Sequence, residues 1–144
     1  MVTVHLITGI AVLATNAGAG VWGAISWYRR EPSVGFRYLL RVAQISVVLQ
    51  IALGALLLLD GREAADGLHY VYGILPVLVT LLAEGFRIQA SEHELEGLDF
   101  ESLPRERQAA VAAAISRRET GIMAVSALVI LGLALRAAFL SSAF

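Results

Sequence analysis

Four long apolar blocks, parted by charged stretches, constrain this chain more than any other feature. A helix needs about 20 mostly apolar residues to cross a hydrocarbon core about 30 Å thick. Residues 4–27, 38–59, 68–87 and 120–140 each reach that length. The charges fall almost entirely between the blocks, as expected when a charge in lipid is costly. In a chain of 144 residues, four spans leave no room for a separate water-soluble domain. The expected fold is therefore all-α, an integral membrane four-helix bundle of up-down-up-down topology, with 1–144 as one domain.

Composition agrees with that reading and removes several others. The chain is 58% apolar and 16% charged, with a mean hydropathy of +0.72. Soluble domains lie near 45–50% and about 25%. A disordered tail is excluded. The net charge of −1 gives no basic field for phosphates, so nucleic acid is not an expected partner. Without cysteine there is no disulfide, thiolate zinc site, iron–sulfur cluster or cysteine nucleophile. The N-terminus, Met1-Val2-Thr3-Val4-His5, carries no Lys or Arg, and the first block is too long for a signal-peptide core. It is read as a helix of the mature protein.

Arginine sets the expected orientation. All 11 basic residues are Arg. Arg29, Arg30, Arg37 and Arg41 follow span one, and Arg87, Arg105, Arg107, Arg117 and Arg118 follow span three. Only Arg62 and Arg136 fall on the other side. The richer side is expected in the cytoplasm of a bacterial plasma membrane, with both termini outside. Asp60-Gly61 and Asp66-Gly67 read as turns in a short outer loop. The inner loop 89–118 is long. Its acidic run, 92–101, reads as solvated. Ser102-Leu103-Pro104 reads as a helix start, and helix from there into span four would measure about 50 Å, enough to protrude.

A short motif recurs. Span one begins Val4-His5-Leu6-Ile7-Thr8-Gly9-Ile10, and span three begins Leu68-His69-Tyr70-Val71-Tyr72-Gly73-Ile74. Both read apolar-His-x-x-x-Gly-Ile. Gly54 and Gly132 likewise sit at matching depths of spans two and four. The pattern fits two duplicated helical hairpins in parallel relation. Spans one and three run in the same direction, so His5 and His69 lie at one depth near the outer surface. They sit on diagonal helices, with axes about 11–14 Å apart if adjacent axes are 8–10 Å apart. Stripes of small and polar residues put both on interior faces. These are His5, Gly9, Asn16, Gly20, Gly23 and Trp27 on span one, and His69, Gly73, Pro76, Thr80, Glu84 and Arg87 on span three.

Two imidazoles reaching inward from a diagonal pair can meet one metal. A haem iron fits best, with one imidazole on each side, His5 and His69 as axial ligands, and Gly9 and Gly73 clearing space for the macrocycle. Arg62 or Arg136 would steady the propionates through forked hydrogen bonds. The alternatives are a two-histidine copper site or no cofactor, and zinc would want further ligands. His93 reads as a solvated loop residue. Glu84 with Arg87 reads as a boundary ion pair, and Asn16 and Gln50 as bonds between helices. Small-xxx-small spacings in span one fit packing inside the bundle or across a homodimer.

On His5, Gly9, His69 and Gly73, the chain resembles the small four-helix membrane bundles that hold haem b between two histidines. In plan it is similar to one half of haem A synthase. It differs in that neither His is followed by Arg and neither has Glu three positions earlier. The resemblance implies haem binding rather than a particular reaction, and whether the chain is an enzyme stays open. The expected function is a b-type cytochrome-like protein in electron transfer or haem handling. The alternatives are an accessory or assembly subunit of a larger membrane complex without a cofactor, or a small transporter subunit. Membrane lipid is the one partner all of these share.

Overall fold

The computed structural model describes residues 1–64 and 66–141. It contains four long helices: α1 (Val2–Arg29), α2 (Val34–Leu59), α3 (Leu68–Leu95) and α4 (Arg105–Ser141). All four are long and apolar enough to cross a membrane, with peak mean hydropathies of 1.5, 2.3, 1.6 and 2.3. The chain is an all-α, multi-pass four-helix bundle. Large apolar side chains cover its outside, among them Leu6 and Leu81, both 63% exposed. In water such a surface would be a liability, whereas in lipid it is solvated.

Local chemistry fixes the turns. Arg30 adopts the left-handed conformation (φ 59°) after α1. The Glu31 N–H then closes back on the Ser26 carbonyl at 3.1 Å, the usual way of satisfying the last carbonyls of a helix. Pro32 prevents continuation. The Ser33 hydroxyl accepts from Phe36 N–H at 3.2 Å and caps α2. At the opposite end, Gly61 takes a positive φ of 76°. The Asp66 carboxylate accepts from Leu68 N–H at 2.8 Å at the start of α3.

The helices alternate in direction. The start of α1, the end of α2, the start of α3 and the end of α4 meet at one end, where His5, Gln50, His69 and Ala137 are in contact. Helix α1 packs closely on α2 and α4, and α4 packs closely on α3. Helices α1 and α3 are diagonal. The α2–α3 seam is much thinner than the other three.

Small residues make close packing possible. A Cβ on Gly20 would lie 2.5 Å from Leu128 Cδ2, and one on Gly23 would lie 2.6 Å from Phe36 Cε2 and 2.8 Å from Ala124 Cβ. The small-residue stripe of α1 is thus used within the chain, against α2 and α4. One apolar cluster holds Ala19, Phe36, Leu40, Ala43, Ala83, Met123 and Ala127. A second, nearer the histidines, holds Val12, Val47 and Ile130.

Two expectations about the inner loop need correction. Helix α3 does not stop near residue 87 but runs two further turns to Leu95, taking in part of the acidic run. The reason lies across the hairpin: Glu94 pairs with Arg118 at 2.8 Å, and Ser91 donates to Glu119 at 3.0 Å. Ser102 does not cap α4. It lies in a 3-10 turn (Phe100–Ser102) and donates to the Asp99 carbonyl. Helix α4 starts at Arg105 and has 37 residues, about 55 Å at 1.5 Å per residue. The α3–α4 hairpin therefore overreaches a bilayer.

Candidate functional site: a facing histidine pair

His5 stands in the first turn of α1 and His69 in the first turn of α3. Their ring centroids are 6.3 Å apart and their planes are inclined at 57°. The repeated motif does bring its two histidines together across the bundle diagonal.

Each ring has one nitrogen engaged by the protein. His69 Nδ1 is 3.2 Å from the Ala137 carbonyl oxygen on α4. A carbonyl only accepts, so Nδ1 of His69 is the donor here, and in the neutral ring the lone pair then lies on Nε2. His5 Nε2 is 3.1 Å from the Gln50 amide on α2. His5 Nδ1 is buried and has no hydrogen-bond partner among the described residues. Buried polar atoms are nearly always satisfied, so such an atom calls for an explanation. The Gln50 amide is held in turn by the Thr8 hydroxyl.

The neighbours divide into those that frame the pair and those that do not. Gly54 makes room for His5, since a Cβ there would lie 3.3 Å from His5 Cε1. The Tyr70 ring stands edge-on to His69 at 6.2 Å. Its hydroxyl accepts from Ala64 N–H at 2.8 Å and so ties the α2–α3 loop to the site. Gly73 faces open space, with nothing within 4 Å of where a Cβ would stand. Gly9 is covered by the Gln50 side chain. A Cβ there would meet Gln50 Nε2 at 3.2 Å, because that face of α1 packs on α2. Arg62 is 62% exposed and pairs with Asp60 at 3.5 Å. Arg136 is exposed on α4, adjacent in sequence to the Ala137 that supports His69.

Sequence reasoning does not bring Gln50 or Gly54 to the site. Gln50 reads there only as an inter-helix bond. Its position as the one polar residue of α2 beyond Ser46 is the signal that could draw it in. Asn16 departs from expectation: its amide donates to the Val12 carbonyl of its own helix at 2.9 Å.

Polar groups also gather at the other end of the bundle. Glu84 accepts from Arg41, Gln44 and Arg87, each at 2.8 Å. Arg87 reaches Glu119 at 3.6 Å. Every member has a partner, which makes this cluster a structural tie between α2, α3 and α4. His93 is 70% exposed and pairs with Glu96, three residues on.

Among the described residues, no group of three or more His, Cys, Asp or Glu is placed to hold a metal ion. The histidine pair by itself offers two imidazoles. Comparison with known proteins adds no family: no family model, no curated protein and no solved structure matches the chain.

Proposed function

We propose that this protein is a b-type cytochrome-like membrane protein that holds haem b between His5 and His69. Its role on this reading is electron transfer or haem handling near the outer face of a bacterial plasma membrane, with both termini outside. One observation carries the reading: two imidazoles from diagonal helices lie together, 6.3 Å apart between centroids. With metal–nitrogen bonds of about 2.0–2.1 Å, two imidazoles on opposite sides of one metal have centroids about 6 Å apart. The hydrogen bond from His69 Nδ1 to a backbone carbonyl is the usual outer support of a ligating histidine.

The donor set fits haem in number, since a porphyrin supplies the four ligands that the protein lacks. His5 and His69 would hold the iron, and the open space at Gly73, one turn along α3 from His69, would accommodate the ring edge. Arg136 is the better candidate for a propionate, because Arg62 already has Asp60. When bound, haem would supply a one-electron couple, and two protein ligands would keep oxygen from the iron.

A specific observation favours a second reading, a two-histidine copper site. His5 offers a buried, unpartnered Nδ1, and a bare ion accepts either imidazole nitrogen. A haem takes the nitrogen remote from Cβ, since on Nδ1 the macrocycle would strike the histidine's own Cβ. The test is an absorption spectrum of protein expressed with haem supplied. Sharp α and β bands on dithionite reduction, lost in His5→Ala and in His69→Ala, are expected. Colourless protein, or an unchanged reduced spectrum in both variants, would overturn the proposal.

A further inference from the structure

The proton positions around His5 follow from counting donors and acceptors. Thr8 Oγ1 lies 3.1 Å from the Val4 carbonyl and 3.0 Å from the His5 carbonyl, and it also contacts the Gln50 amide oxygen position. A threonine hydroxyl has one proton. If Gln50 turned its NH₂ toward His5, the His5 proton would have to sit on Nδ1. That would leave a buried N–H donor with no acceptor. The reversed amide avoids this. Thr8 then gives its proton to a carbonyl of its own helix, as helical threonines commonly do. The Gln50 NH₂ donates to Thr8 Oγ1, and the Gln50 carbonyl accepts from His5 Nε2–H. Each of these donors is satisfied, and what stays unpaired is a lone pair on His5 Nδ1.

We propose that Gln50 sets the tautomer of His5, so that the nitrogens left with lone pairs are Nδ1 of His5, beside Gly54 of α2, and Nε2 of His69. The two histidines come from one repeated motif yet offer different nitrogens. The difference arises outside the motif: His69 leans on a backbone carbonyl of α4, and His5 leans on a side-chain amide of α2. Gln50 is a positioning residue that acts through His5. It is also the specificity determinant of the site, a conclusion that rests on the proposed function. Nδ1 of His5 is buried beside Gly54, so an ion using it would have to part α1 from α2 there. A macrocycle needs Nε2 of His5, so Gln50 must release it first.

The test uses the full chain, labelled with ¹⁵N, purified free of metal and haem in detergent micelles. Long-range ¹H–¹⁵N correlation of the imidazoles reports each tautomer without any ligand. Expected in the wild type are Nε2–H for His5 and Nδ1–H for His69. Gln50→Leu should shift His5 toward a mixture and leave His69 unchanged. Thr8→Val, which keeps the shape of the side chain and removes the anchor of the amide, should move His5 in the same direction and guards against misfolding of the first variant. A wild-type His5 protonated on Nδ1, or a His5 signal identical in all three proteins, would overturn the proposal. Titration with haemin adds the specificity arm. Losing one neutral hydrogen bond that must otherwise be broken should tighten haemin binding by about two- to tenfold in Gln50→Leu. Weaker binding in that variant would overturn the specificity role. If none of the proteins takes up haemin, the haem reading fails, and the tautomer result still decides the role of Gln50.

Discussion

Gly9 and Gly73 hold the same place in two copies of one motif, yet they meet different surroundings. Gly9 lies against the Gln50 amide, whereas Gly73 has nothing within 4 Å of its missing Cβ. Sequence alone places the two histidines at one depth, because depth follows from where each apolar block begins. It cannot distinguish the two glycines, because that depends on how tightly a neighbouring helix closes over each face. Substitutions should expose the difference. Gly73→Leu has space, so thermal melting in detergent should stay near wild type while haem uptake falls with both ligands present. Equal haem uptake would place the macrocycle elsewhere. His69→Ala should abolish the reduced α band, whereas His93→Ala, on a solvated turn of α3, should leave it unchanged. A spectrum altered by His93→Ala would contradict the assignment.

Among the elements, α1 depends most on what it lacks. Its glycines let Leu128, Phe36 and Ala124 approach to distances that a Cβ could not share. Gly23→Leu forces a side chain between Phe36 of α2 and Ala124 of α4. Overpacking of this kind typically costs about 1–3 kcal/mol. A lowered midpoint of thermal unfolding in detergent should report it. Gly132→Leu is the control, since that position is open, and its midpoint should not move. If both variants melted like wild type, the α1 interfaces described above would be wrong. The stripe is visible in the sequence as spacing. Its partners are not, because uniformly apolar helices give no indication of which face turns toward which neighbour. The length of α3 is hidden for a related reason. An acidic run reads as a loop until its counter-charge on a distant stretch of chain is known, and Arg118 of α4 supplies one at Glu94.

At the scale of the whole molecule, the Arg distribution predicts sidedness. A reporter inserted near Gly97, on the overreaching α3–α4 hairpin, should read cytoplasmic, and one fused after Phe144 should read external. The opposite pattern would move the histidine pair to the inner face and remove the basis for an extracytoplasmic role. Fold class and span number are legible in the amino-acid sequence because lipid solvation imposes them directly on composition. The seams between helices are not, and one of them is unlike the rest. Three seams are tightly packed and α2–α3 is not. The molecule is built like a book, with α1 and α4 as its spine and with α2 and α3 as covers. Glu84 is the clasp at the lower edge, holding Arg41 and Gln44 of one cover against the other. The histidines lie between the pages at the upper edge. The covers can part along that one seam without the spine ever breaking, because only there is little packing lost.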